Sequence, residues 1–181
     1  MLWITIPGVE RFNSQTSEFI YSKDTTLQLE HSLVSLSKWE SRWHKPFLAP
    51  KVEKTPDEIV DYIRCMTITQ NVDPKVYRDL TKENCDKIQA YIDDTMTATT
   101  FNDMQKAKPS REIVTSELIY YWMIAYNIPV EFEKWHLNRL LTLIKVCSIK
   151  NTPPKKMSKR EIMNRNAALN ASRRRAHNTK G

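Results

Sequence analysis

The sequence predicts a mainly α-helical protein: a helical bundle built on a central helical hairpin (about 110–149), with a small N-terminal antiparallel β-sheet and a basic C-terminal helical tail. Three observations support this fold class. Within the 181 residues, 110–149 is the most apolar stretch, and its apolar residues recur at helical spacing. Helix-start signals recur along the chain with short connections between them. The β-prone runs are confined to about residues 1–29.

The N-terminal sheet is predicted from β-prone runs at 2–6, 18–22 and 25–29, which turn-forming residues separate. Two or three strands are only marginally stable alone in water. We therefore expect the sheet to lie on a helix or to extend the sheet of a neighbouring subunit.

Two helices are predicted after the sheet. Ser32 can cap the first, whose apolar stripe continues to Trp43, and 48–54 is a short linker. Thr55 and Glu58 form a capping box at the start of the second. The residues of the second helix predicted to face inward are Ile59, Ile63 and Met66.

A short helical turn and a third helix come next. Asp73 and Pro74 open the turn, because proline suits the first helical position. Thr81 can cap the helix. Its residues in inward register are predicted to be Cys85, Ile88, Ile92 and Met96.

The central hairpin is predicted to begin at a cap on Ser110 and to turn at Asn127 and Pro129. Its second helix should start near Glu131, and the short connection predicts an antiparallel pair. Its aromatic residues could line a ligand pocket, although aromatic residues at helical spacing more often belong to a core. They are Tyr120, Tyr121, Trp122, Tyr126, Phe132 and Trp135.

Charge divides the chain into a body (1–150) and a tail (151–181). The tail has nine Lys or Arg and one Glu, a net charge of +8, whereas the body has 19 basic and 20 acidic residues, a net charge of −1. Ser158 and Glu161 form a capping box, which predicts a tail helix that is marginal in isolation. The residues predicted to bind a partner are Lys155, Lys156, Lys159, Arg160, Arg165, Arg173, Arg174 and Arg175.

Two interpretations of this tail remain open. Its cations could neutralise phosphates, which would make the protein a DNA or RNA binder. Alternatively, the tail is a solvated extension or a protein-docking arm. The second interpretation is favoured, because net charge is a non-specific signal.

The composition argues against several kinds of site. Two glycines cannot form a Gly-rich phosphate loop or a dinucleotide fingerprint, so we expect no cofactor. Cys65, Cys85 and Cys147 lack zinc-site spacing and are predicted to be buried thiols in a reducing cytoplasm. No secretion signal and no apolar run of about 20 residues is found, so we expect neither secretion nor a membrane anchor.

Catalytic and metal-binding residues are also weakly indicated. Asp93 and Asp94 are adjacent on a helix, so their carboxylates point in different directions. Glu133 and His136 could meet a metal ion, but a bundle metal site needs a second such pair, and a solvated helix face is favoured. His31 and His177 are isolated in the sequence. We expect neither a metal nor enzymatic activity.

Several phrases carry a family resemblance over nearly the whole length. They are LSKWESRWHKPF at 36–47, YIRCMT at 62–67, MTATTF at 96–101, EKWHLNRLLTLI at 133–144 and LNASRRR at 169–175. On these phrases the chain resembles the tail assembly chaperones of long-tailed (siphovirus-like) bacteriophages. They form no catalytic motif, so no individual binding residue is transferred from the family.

The resemblance implies a non-enzymatic protein in the cytoplasm of the infected bacterial host. Such a chaperone coats the tape measure protein and keeps it soluble until the tail tube protein polymerises around it. The resemblance also implies self-association and a longer form made by ribosomal frameshifting, for which codons at 154–156 could provide an adenine-rich run. The alternative is a virion structural or nucleic-acid-binding protein that uses the basic tail.

Overall fold

The structure, a computed structural model, describes residues 1–13, 17–101, 112–153 and 158–178. It confirms a mainly helical protein with a small antiparallel N-terminal sheet. The chain divides into two compact units, Met1–Ser148 and Ile149–Gly181, which are considered separately. The strands are β1 (Leu2–Ile6), β2 (Glu10–Asn13), β3 (Glu18–Tyr21) and β4 (Thr25–Leu29). The helices are α1 (Leu33–Trp43), α2 (Pro56–Met66), α3 (Lys82–Asp93), α4 (Ser116–Ala125), α5 (Leu137–Asn151) and α6 (Lys159–His177), with 3-10 helices at Pro74–Asp79 and Val130–Lys134.

The four strands form one two-stranded ribbon. β1 pairs with β4 and β2 with β3, both antiparallel. The β1–β4 pairing ends at Ile6 and Thr25, and the β2–β3 pairing begins at Glu10 and Tyr21. The register of the strands is the same on both sides of the unpaired gap between these two pairs. β2 was missed by the sequence prediction. Gly8 lies in the gap, where a Cβ would sit 2.1 Å from the carbonyl oxygen of Ser22, so the close approach requires glycine.

The base of the ribbon lies on the helical body, as expected. Its buried face consists of Ile4, Ile6, Leu27 and Leu29. The segment after α2 covers the outer edge of β4: the backbone N–H of Glu30 donates to the carbonyl of Met66, and that of Ile68 donates to the carbonyl of Gln28. These bonds satisfy part of an edge that would otherwise be open to pairing.

Helix α1 contributes to both hydrophobic clusters of the body. Its Trp39 packs in the first cluster with residues of β1, β4, α2 and α3. Leu33 and Leu36 pack in the second cluster with residues of α4 and α5, the helices of the predicted hairpin. Each of these three side chains is fully buried. Both clusters therefore depend on the placement of α1.

Several predicted helix starts are confirmed. Ser32 caps α1, Asp73 caps the first 3-10 helix and Thr81 caps α3. Thr55 and Glu58 form the predicted capping box of α2. In the second unit, the capping box predicted at Ser158 is also present, at the start of α6.

The predicted starts of the two hairpin helices were wrong. Helix α4 starts at Ser116 with Thr115 as its cap, because the Thr115 hydroxyl accepts the N–H of Leu118. Ser110 lies outside the described residues. The second helix does not start near Glu131, since that residue belongs to a 3-10 helix; α5 begins only at Leu137.

Three inward assignments were also wrong. Ile59 is 49% exposed, because α2 instead turns Glu58 and Asp61 inward toward Lys45 and Arg42. Met96 lies beyond the end of α3 and is exposed. Cys85 is exposed, while Cys65 and Cys147 are half-buried, so the prediction of three buried thiols was wrong for Cys85.

A buried carboxylate on α1 joins two distant segments. One oxygen of Glu40 accepts the backbone N–H of Phe47 at 2.8 Å, and the other accepts that of Ser116 at 2.7 Å. Glu40 is buried, so these bonds replace water that the carboxylate loses on folding. The side chain thereby fixes the segment after α1 and the start of α4 relative to one helix.

Glu40→Gln should destabilise the protein. The amide would turn an NH₂ group toward one of the two N–H donors, so a buried donor loses its acceptor, at a cost of about 1–3 kcal/mol. The free energy of unfolding, measured by urea denaturation, checks this. Glu53→Gln, at an exposed position, is the control and should change little. Equal stability of the Glu40 and Glu53 variants would contradict the role given to Glu40.

Candidate partner-binding groove

An apolar groove runs over α4 and α5 in the first unit. It consists of two adjoining cavities of about 670 and 340 Å³, which share Trp122 of α4 and Leu141 of α5. Beyond these two residues, the smaller cavity continues along Tyr126 and Ile144. Both volumes lie in the range of roughly 300–1,000 Å³ found for ligand-binding pockets.

Two loop segments form the walls of the larger cavity. One follows α1 and contributes Pro46, Leu48 and Val52; the other precedes α4 and contributes Ile113 and Val114. Glu40 accepts the backbone N–H of Phe47, which lies in the first segment, and that of Ser116, which directly follows the second segment. The Glu40 carboxylate therefore positions both walls.

The groove remains partly open to solvent. Ile113 is 60% exposed, although it is apolar, whereas Trp122 and Leu141 are half-buried. Lys51 and Glu112 lie along the larger cavity and Lys145 along the smaller one, so charges of both signs border the apolar surface. This arrangement suits an apolar stripe flanked by charged side chains, as on an amphipathic helix.

The aromatic residues of the predicted hairpin have different environments. Trp122 and Tyr126 line the groove. The Tyr120 hydroxyl donates to Glu133 at 2.8 Å. Phe132 and Trp135 stack on each other with ring centroids 3.9 Å apart. Tyr121 is 63% exposed. The sequence analysis left open that these six residues line a ligand pocket, and two of them, Trp122 and Tyr126, line the groove.

The basic residues predicted to bind a partner lie in the second unit. Lys155 and Lys156 fall outside the described residues. The others are on α6, and every described residue of that helix is exposed. Arg173, Arg174 and Arg175 are consecutive, so their side chains leave the helix in different directions. The positive charge of α6 thus surrounds the helix, with no single basic face.

The proposed metal pair does not converge. Glu133 accepts the hydroxyl of Tyr120, while Nε2 of the buried His136 lies 2.9 Å from the carbonyl oxygen of Tyr91. Among the described residues, no group of three or more His, Cys, Asp or Glu could hold a metal ion. Nor does any helix in the described ranges have the length and apolar character needed to cross a membrane.

His31 is not isolated, contrary to the sequence interpretation. Its ring centroid lies 5.1 Å from that of His136, and its Nδ1 lies 2.6 Å from the hydroxyl of Tyr62. Both imidazoles are buried. The sequence could not reveal this pair, since 105 positions separate the two residues.

A second part of the same buried network is acidic. Glu30 accepts the Tyr91 hydroxyl at 2.7 Å and lies 3.1 Å from the N-terminal amine of Met1. The Tyr91 carbonyl can only accept, so His136 carries its proton on Nε2, and its buried Nδ1 has no partner within the described residues. Burial keeps the side chains of Glu30, Tyr91 and the two histidines from bulk solvent, which suits a structural junction between the end of β4, helices α2 and α3 and the start of α5.

The environment of His31 disfavours its charged form. Burial, together with the neighbouring His136, lowers the pKa of His31 to about 4, and the charge of Asp93 opposes this shift. Burial raises the pKa of Tyr62, which therefore stays a neutral donor. The neutral imidazole is the form that accepts this hydrogen bond.

The sequence analysis did not predict that the segment after α1 forms a wall of the groove. Residues 48–54 were interpreted as a linker, yet Leu48 and Val52 line the larger cavity. Apolar residues in a loop do not recur at a regular spacing, so no sequence pattern identifies a loop that lines a cavity. The signal available was composition, because Pro46, Leu48, Ala49, Pro50 and Val52 are unusually apolar for a solvated linker.

Acid should destabilise the protein through His31. Unfolded histidine takes up a proton near pH 6.5, whereas folded His31 does so only near pH 4, so the unfolded state binds more protons between these values. Stability should fall by about 3 kcal/mol as the pH drops through this window. His31→Gln keeps an acceptor for Tyr62 and should remove this part of the pH dependence. Parallel stability–pH curves for the two proteins would contradict the assignment.

Comparison with protein-family models, with curated proteins and with solved structures finds no match for this chain.

Proposed function

We propose that this protein is a tail assembly chaperone of a long-tailed bacteriophage, which acts by binding and not by catalysis. The apolar groove over α4 and α5 is the observation that supports the proposal. Its ligand is an amphipathic helix of the tape measure protein. By covering the apolar face of that helix, the chaperone keeps the protein soluble in the cytoplasm of the infected host until the tail tube protein replaces it.

The groove suits this task because it is apolar, open and bordered by mixed charge. An amphipathic helix presents apolar side chains at steps of three and four, which can enter the two cavities beside Trp122 and Leu141. Each square ångström of apolar surface removed from water contributes about 25 cal/mol. Since the groove is open, the helix can leave without unfolding of the chaperone. Self-association would let several copies cover a long partner.

Groove binding should depend on Ile113. Ile113→Glu places a charge on the apolar wall, and its exposed position makes a large loss of stability unexpected. We expect co-expression with the tape measure protein to give a soluble complex with the wild type and at least tenfold less complex with this variant, a cost of about 1.4 kcal/mol or more.

Ile124→Glu is the matched control, because Ile124 is 74% exposed and does not line the groove cavities described above. Pull-down and the soluble fraction of the tape measure protein are the measurements. Equal capture by the two variants would reject the groove as the binding site. No enrichment of the tape measure protein by the wild type would reject the chaperone function itself.

Nucleic-acid binding through the tail is the second candidate. It is favoured by α6, on which Lys159, Arg160, Arg165 and the three consecutive arginines are all exposed. Cations distributed around a helix suit sequence-independent contact with phosphates more than readout of bases.

Replacement of Arg173, Arg174 and Arg175 by Gln tests this candidate. If the tail binds single-stranded nucleic acid, the slope of log K against log salt should become shallower by about 2, since each phosphate contact contributes about 0.7. A triple variant at Lys23, Lys75 and Lys82 loses the same charge from exposed positions of the first unit. Unchanged affinity and slope in the arginine variant would exclude the tail as the binding element.

A further inference from the structure

A polar cleft of about 450 Å³ lies between α1, α2 and the segments that follow α2. It is separate from the apolar groove. Three cationic side chains line it: Lys38 and Arg42, one turn apart on α1, and Arg64 at the end of α2. The described residues lining the cleft include no Asp or Glu.

One buried carboxylate behind the cleft organises the two guanidinium groups. Asp61 forms an ion pair with Arg42 and lies 3.8 Å from Arg64. Its other oxygen accepts the indole N–H of Trp43 at 2.9 Å. Asp61 therefore offsets one of the three positive charges that line the cleft, which leaves a formal excess of two. Within the described residues, Lys38 forms no ion pair of its own.

The opposite side of the cleft is also held in place. The Arg64 guanidinium lies 5.8 Å from the centroid of the buried Tyr77 ring, and the Tyr77 hydroxyl donates to Thr67. The Thr69 hydroxyl accepts the backbone N–H of Gln28 at 2.8 Å, which leaves its hydrogen available to a ligand. The cleft thus combines cations with a hydroxyl donor.

Cys65 lines the same cleft, and all three cations act on the pKa of its thiol. Arg42, Lys38 and Arg64 each favour its thiolate, but burial and the charge of Asp61 outweigh them, so the pKa of Cys65 is raised. The thiol therefore stays neutral near physiological pH and adds no negative charge to the cleft.

We propose that this cleft is a phosphate-binding site, in which Arg42, Arg64 and Lys38 donate to the oxygens of one phosphate group. Arg42 already donates from one nitrogen to Asp61, but its remaining N–H groups, the Arg64 guanidinium, the Lys38 ammonium and the Thr69 hydroxyl still offer more donors than the two oxygens of a carboxylate can accept, whereas phosphate has enough acceptors. Inorganic phosphate and a nucleotide carry the same oxyanion. The cleft is large enough for inorganic phosphate or for a nucleotide, and the titrations below distinguish these two ligands.

Calorimetric titration of the full chain with inorganic phosphate, AMP and adenosine tests this site. We expect phosphate and AMP to bind and adenosine not to bind. Equal affinities for phosphate and AMP mean that the oxyanion alone is recognised, and tighter binding of AMP means that the nucleoside also contacts the cleft; both support the site. Binding of adenosine as tightly as AMP, or no binding of phosphate and AMP, overturns it.

The variant Lys38→Gln/Arg64→Gln separates the cleft from the basic tail. Both side chains are exposed, whereas Arg42 is retained because its loss would leave the buried Asp61 without its closest ion pair. The dissociation constant should rise at least tenfold, or about 1.4 kcal/mol. Lys75→Gln/Lys82→Gln, with the same loss of charge at exposed positions, should bind like the wild type. Equal weakening in both double variants overturns the proposal.

Discussion

Glu40 connects the interior of the first unit to the surface that we propose binds a partner. Its two oxygens bind backbone N–H groups at positions 47 and 116, and each of these positions adjoins one wall of the apolar groove. The walls come from segments far apart in the sequence, neither of which is helical or paired in a sheet at the groove. Their separation is therefore set by one charged side chain on helix α1, through hydrogen bonds that are stronger than those between neutral groups.

Helix α1 carries that carboxylate and also contributes to both clusters of the core. Its fully buried residues, Leu33, Leu36 and Trp39, leave it little freedom to shift, because close-packed interiors tolerate few displacements. The polar groups around it are paired. The indole of Trp39 donates to the carbonyl of Glu58 at 2.8 Å, and the indole of Trp43 donates to Asp61. One rigid helix thus carries Glu40 toward the apolar groove and Lys38 and Arg42 toward the cationic cleft.

Local signals predicted much of this fold. The caps at Ser32, Thr55 and Thr81 act within one turn, so their effect is readable in the sequence. The start of α4 was not readable, because Ser110 and Thr115 are both acceptable caps and the choice depends on packing. Ile59 was misassigned because the inward face of α2 follows ion pairs made with Arg42 of α1 and with Lys45 of the segment after α1.

The candidate sites were harder to predict, because each is assembled from distant segments. Trp122 is conspicuous in the sequence, but nothing marks it as the neighbour of Leu48 in a groove. Lys38, Arg42 and Arg64 resemble ordinary solvated charges until α1 and α2 bring them to one cleft. The basic tail attracted the functional prediction because charge density is visible without any tertiary information.

The unbroken register of the N-terminal ribbon limits how its length can change. Strand side chains alternate between faces, so one residue inserted within a strand, with no bulge to absorb it, would turn every later residue of that strand to the opposite face. Ile4 and Leu27 could not both remain in the core after such an insertion unless the other side changed equally. Related chains without a β-bulge could therefore lengthen or shorten the paired part of the ribbon only through matched additions or losses, one residue on each side.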